Sequence, residues 1–108
     1  MPGDEQLPGS GVSEAGDSDT EIDLRPPRRF QVLLHNDDYT TMEFVIDILR
    51  SIFHRSVEES ARIMLKVHQD GMGLAGVYTA QVAETKVRTV RERAKEEGHP
   101  LLCTMEPE

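Results

Sequence analysis

Apolar residues alternate with their neighbours from residue 30 onward, with Phe30, Val32 and Leu34 on one side and Gln31, Leu33 and His35 on the other. A period of two belongs to an extended chain, and the mixed second side predicts a strand buried well on one face and partly on the other. The period then changes. Phe44, Val45, Ile48, Leu49, Ile52 and Phe53 fall at i, i+1, i+4, i+5, i+8 and i+9, the broad apolar stripe of a helix that must face a sheet or another helix. In front of it Thr40 and Glu43 have capping-box spacing, with Thr40 placed to accept from a free helix N–H and Glu43 to reach back. His54 and Arg55 mark its end.

Ser56 and Glu59 repeat that spacing and open a second helix, whose inward side is expected to carry Val57, Ala61, Met64, Leu65, Val67 and His68. Asp70-Gly71 is a turn signal, with Gly71 as a left-handed stop. Gly73 to Tyr78 reads as a short strand, curved or closely approached at its glycines. Thr79 then caps a third helix with Val82, Ala83, Val87, Val90 and Ala94 inward, and Gly98 stops it. His99-Pro100 holds the backbone extended and Leu101 to Met105 form the last strand. The order β-α-α-β-α-β predicts an α+β fold, a three-stranded antiparallel or mixed sheet with three helices on one face. The domain is expected to span residues 28–108.

Composition changes the picture mainly at the N-terminus. The chain has 108 residues and a formal charge of −8, which permits one small domain. Residues 1–24 hold seven acids and no base, so the remainder is nearly balanced at 13 acids against 12 bases. That balance leaves no basic surface for a phosphate backbone, which argues against nucleic-acid binding. Gly, Ser and Pro fill the same stretch with few apolar residues, so residues 1–27 are expected to be a disordered acidic extension bounded by Pro26-Pro27. One cysteine, no apolar run near the roughly 20 residues of a membrane span, and no signal-peptide pattern make a cytoplasmic protein, off the membrane, the expectation.

Candidate chemistry gathers at His35-Asn36-Asp37-Asp38-Tyr39-Thr40, between the first strand and the first helix. Ionised Asp37 and Asp38 only accept hydrogen bonds, Asn36 offers a carbonyl oxygen and Thr40 a hydroxyl, so the cluster suits a small cation or a set of N–H donors. Adjacent aspartates at a helix mouth are ordinarily turn and cap residues. A metal site would need His35, Asp37, Asp38 and His68 to converge, and no metal-ligand spacing of the CxxC or HExxH kind is present. A lone histidine on an apolar helix face, as His68 is, ordinarily belongs to the core. Cys103 follows an apolar run and reads as packing. The residues alone give a small α+β binding module; a metal-dependent enzyme and a small protein-docking module stay open beside it.

The run from His35 to Val45, HNDDYTTMEFV, resembles the signature of the ClpS family, adaptors that hand N-degron substrates to a ClpA- or ClpC-type unfoldase and the ClpP protease. The resemblance recurs at ARIMLKVH (61–68), at GVYTAQVAETKV (76–87) and at HPLLCT (99–104), in order, and covers about residues 29–106. It implies an adaptor and not an enzyme, with no cofactor. Positions matching Asn36, Asp38 and His68 then bind the free α-amino group and first peptide unit of a substrate, with Asp37 assisting. Leu34, Thr40, Met42, Val45, Met64, Val67 and Leu101 match the pocket for the first side chain.

An α-ammonium has donors only, so each partner must accept, and a neutral imidazole at His68 can. The implied pocket favours Leu, Phe, Tyr and Trp, and Met42 would act as the steric gate against β-branched Val and Ile. Tyr39, Gln81, Glu84 and Lys86 match positions that dock on the unfoldase N-terminal domain, and the tail matches the segment that engages its pore. Two positions depart from the family pattern. Thr41 replaces a common proline, which only pre-sets φ at the first helical position. Gln81 replaces a common glutamate, which bears on the unfoldase partner and not on the pocket. A monomer is the expected state.

Overall fold

The computed structural model describes Ile22 and residues 24–108. Apart from Ile22 and residues 24–27, the expected acidic extension lies outside the described residues. Six elements follow in order: β1 (Arg29–His35), α1 (Met42–Ser51), α2 (Val57–Asp70), β2 (Met72–Thr79), α3 (Ala80–Glu96) and β3 (Leu102–Pro107). The sheet has strand order β2-β1-β3 with both pairings antiparallel, which settles the antiparallel-or-mixed alternative. β1 lies at the centre, paired along both edges, and its Val32, Leu33 and Leu34 are buried in succession.

One face of the sheet carries the core. Val32, Leu34, Ala75 and Cys103 meet the whole apolar stripe of α1, together with Met64 and Val67 of α2 and Ala83, Val87, Val90 and Ala94 of α3. Burial pushes the Cys103 thiol up to about 12, slightly offset by Arg91, which fits a packing role. The register shifts between Val32 and Leu33, leaving Ala75 as the extra residue of a bulge in β2. Its carbonyl accepts from Arg55 Nε at 2.9 Å, so the α1–α2 loop is fastened to the sheet where the ladder is interrupted.

Three local expectations shift. The N-cap of α1 is Thr41, whose hydroxyl accepts from the Phe44 amide at 3.1 Å, one residue later than the expected Thr40. Thr40 is unavailable because its hydroxyl donates to Asp37 Oδ2 at 2.7 Å. The box opening α2 forms as expected, with both Ser56–Glu59 arms at 3.0 Å, and Gly71 ends that helix at φ +88°. The inward line of α2, however, is Ser60, Met64 and Val67, while Val57, Leu65 and His68 face outward. Helix α2 sits between β2 and α1, and residues at 57, 61, 65 and 68 lie on one flank of it, off the buried line. Val82 is likewise exposed because the buried line of α3 runs through Ala83, Val87, Val90 and Ala94.

Ser60 brings a hydroxyl into this core, fully buried and without a hydrogen-bond partner among the described residues. An unpaired buried donor costs about 1–3 kcal/mol, and alanine is also the better helix former. Ser60→Ala is therefore expected to raise stability by about 1 kcal/mol, read as a higher urea midpoint at unchanged slope. A lower midpoint would contradict this.

Candidate functional site

The acceptor cluster is built by the way β1 stops. After His35 the Asn36 amide leaves the ladder and donates to the Gly71 carbonyl at 2.9 Å, which ties the end of β1 to the end of α2. His68, in the last turn of α2, is thereby carried to the same end of the molecule as Asn36. Asp37 then folds the loop. Its Oδ1 accepts from the amides of Tyr39 (2.8 Å) and Thr40 (2.7 Å), and its Oδ2 accepts the Thr40 hydroxyl.

Burial pushes the Asp37 carboxyl upward, but the Thr40 hydroxyl, the Thr40 and Tyr39 amides and the charge of His99 outweigh it and leave its pKa below the ordinary 3.8. A carboxyl lowered in the folded state contributes stability above its unfolded pKa and loses it as pH falls through the folded value. The side-chain carboxyl resonance of Asp37 is therefore expected to titrate with a midpoint below 3.8, the Thr40 amide signal moving with it. A midpoint above that value would contradict the hydrogen-bonded loop.

With Asp37 engaged on both oxygens, the free acceptors are elsewhere. Asn36, Asp38 and His68 are exposed, and among the described residues none of their side chains makes a hydrogen bond or ion pair. Chemically the group is three side-chain oxygens with acceptor capacity, two of them those of the Asp38 carboxylate, and an imidazole nitrogen; it complements a ligand rich in N–H donors. Asp37 belongs to the scaffold of the loop.

The apolar residues expected at the pocket divide between surface and core. Met42, 45% exposed, stands in the first turn of α1, whereas Val45, Met64, Val67 and Leu101 are buried and share the hydrophobic core with the fully buried Leu34. Thr40 is half-buried, its hydroxyl turned to Asp37. Leu101 is held at this end by the preceding His99, whose ring lies 4.3 Å from that of Phe44. His99 was not legible as a neighbour of the cluster, because the His-Pro pair signals only an extended backbone.

The second set of expected residues is divided. Gln81, Glu84 and Lys86 line a groove of about 740 Å3 with Ile52, His54 and Val82. Lys86 is also structural: its Nζ donates to the Ile52 carbonyl at 2.6 Å, closing the end of α1, and lies 5.5 Å from the centre of the Tyr78 ring. Tyr39, 79% exposed, is not part of that groove. Helices α1 and α3 run antiparallel, since Lys86 meets Ile52, Arg93 bonds Asp47 (2.6 Å) and Ser51, and His99 meets Phe44. The length of α1, about 15 Å, therefore separates Tyr39 from the groove. Among the described residues no group of three or more His, Cys, Asp or Glu is placed to hold a metal ion, and no helix is long and apolar enough to cross a membrane.

Comparison with known proteins agrees with this architecture. Residues 25–104 match the family model for the ATP-dependent Clp protease adaptor protein ClpS. The chain is 63% identical over 82 residues to the ATP-dependent Clp protease adapter protein ClpS of Desulfatibacillum aliphaticivorans, covering 76% of this chain and 79% of that one. It is 59% identical over 95 residues to its counterpart in Nitratidesulfovibrio vulgaris strain Miyazaki F, covering 84% and 95%. Among solved structures, Agrobacterium tumefaciens ClpS2 bound to L-phenylalaninamide superposes with a TM-score of 0.74 at 38% identity, over 77% of this chain and all of that one. With the matched model spanning every element but the last residues of β3, the chain belongs to the ClpS family of Clp protease adaptor proteins.

Proposed function

We propose that this adaptor binds the free α-amino group and the bulky apolar first side chain of N-degron substrates and delivers them to a Clp unfoldase of the ClpA or ClpC type. The observation that supports the reading is that Asn36, Asp38 and His68 are exposed acceptors with no hydrogen bond or ion pair among the described residues, and that the Asn36–Gly71 backbone bond joins the ends of β1 and α2 that carry them. An α-ammonium presents donors only, and L-phenylalaninamide, the ligand in the ClpS2 structure, has such a group next to a benzyl side chain. Asp37 assists by holding the loop. The first side chain enters between Met42, Thr40 and Val45 on one side and Met64, Val67 and Leu101 on the other, with Leu34 as the floor. Met42 at the rim excludes β-branched residues.

The protein acts without catalysis and without a cofactor, as a cytoplasmic monomer whose residues 28–108 form the working domain and whose residues 1–27 serve delivery to the unfoldase. Gln81, Glu84 and Lys86 form the docking surface for the unfoldase N-terminal domain, with Tyr39 as a separate contact. The experiment is fluorescence-anisotropy binding of a Phe-first peptide, its N-acetylated form and a Val-first form. Burying the side chain is worth about 1.5–3 kcal/mol and each charge-assisted bond a similar amount, so after ordering costs the free Phe peptide is expected at about micromolar affinity. Binding of all three alike, or of none, would contradict the reading and favour a docking module indifferent to peptide N-termini.

A further inference from the structure

The outward residues of α2 form a line that the first-side-chain pocket does not use. Val57, Ala61, Leu65 and His68 follow at i, i+4, i+8 and i+11 on one flank of the helix. Val57 is 54% exposed, Leu65 46%, and Ala61 is half-buried. On α1, Met42 and the half-buried Ile46 share a flank at i and i+4. Helices α1 and α2 pack on each other and are joined by residues 52–56, so the flank each leaves uncovered borders their common seam. The opposite flank of α1 is taken by α3, through Phe44 with His99 and through Asp47 and Ser51 with Arg93. The opposite flank of α2 is taken by β2, where a Cβ on Gly73 would meet Val67 Cγ2 and the Ile63 carbonyl. What remains between the helices is a shallow apolar crevice that begins at Met42 and His68 and runs through Ile46, Leu65 and Ala61 toward Val57.

We propose that this crevice is a subsite for the second to fourth residues of the substrate, selecting apolar side chains there. The inference rests on the amine-binding reading above and extends it. Continuity identifies the occupant: the crevice starts at the two residues, Met42 and His68, that border the first-residue site. A peptide anchored there by its amine reaches about 10 Å in three extended residues, and α2 rises about 4.5 Å from His68 back to Leu65 and about 10 Å to Ala61. The other exits from the cluster are polar near the anchor: Tyr39 and Thr41 on the loop, and Lys66, Gln69 and Asp70 on the far side of the last turn of α2. The open face of the sheet also shows apolar residues, Met72, Leu74 and Leu102, and serves as the internal control.

The test uses the full chain and two peptides with the same free N-terminal Phe, one continuing Leu-Leu and one Ser-Ser, with Leu65→Gln and Leu102→Gln variants. The expected result is about fivefold tighter binding of the Leu-Leu peptide to the parent, a ratio falling below about two in Leu65→Gln with Ser-Ser binding retained, and an unchanged ratio in Leu102→Gln. Equal affinities in the parent, an unchanged ratio in Leu65→Gln, or a loss confined to Leu102→Gln would overturn the subsite while leaving the amine grip intact. Binding of neither peptide would overturn the amine grip itself, and the subsite with it.

Discussion

Replacing His68 with Ala is expected to weaken a Phe-first peptide by at least about tenfold while leaving the melting temperature within about 3 °C of the parent. The two halves of that result come from the same fact. His68 is exposed and makes no hydrogen bond or ion pair among the described residues, so its removal takes no polar interaction from the folded state. In the proposed complex its loss would remove one acceptor from a desolvated ammonium, and a hydrogen bond to a charged group is worth about 1.5–3 kcal/mol. Anisotropy and a thermal melt on the same sample read both. Unchanged affinity would remove His68 from the site, and a melt lowered by 10 °C would show a structural role in place of a binding one.

Gly73→Ala is expected to act the other way, lowering stability and binding together. A Cβ at residue 73 would lie 2.7 Å from Val67 Cγ2 and 3.3 Å from the Ile63 carbonyl, so β2 and α2 cannot both keep their places. Val67 is 3% exposed and one residue from His68, and the Ile63 carbonyl is helix backbone, so neither neighbour yields cheaply. Overpacking of this kind costs about 1–3 kcal/mol, or roughly 5–15 °C in a domain of this size. Displacing the end of α2 also moves His68 relative to Asn36, since the Asn36–Gly71 bond spans that junction. A melt and an anisotropy titration check it; an unchanged melting temperature would mean the strand-to-helix contact is looser than its geometry indicates.

These two positions mark how far the chain was readable without coordinates. Every apolar residue of the α1 stripe from Phe44 to Phe53 is buried, and Gly71 adopts the left-handed stop, because both signals are local. The phase of α2 was not readable: Val57, Leu65 and His68 fit an apolar face by type, yet the helix is covered on two sides only, by β2 and α1, and that depends on tertiary packing. The cap of α1 moved from Thr40 to Thr41 because Asp37 competes for the Thr40 hydroxyl. The acceptor cluster was readable as a run of residues. Its proximity to His68 was not, except through the family resemblance, because it is set by a backbone bond between residues 36 and 71. The structural duty of Lys86 at the end of α1 was equally hidden, since nothing in the order of residues links 86 to 52.

Site location is the central claim, and its most direct test is a titration of the isotope-labelled full chain with L-phenylalaninamide followed by 1H–15N NMR, beside the N-acetylated compound. Saturable shifts are expected at residues 36–42, 64–68 and 101 with the free amine and none with the acetylated form. Shifts centred on the groove of Gln81, Glu84 and Lys86 or on the open face at Met72 and Leu102, or equal shifts with both compounds, would contradict the account.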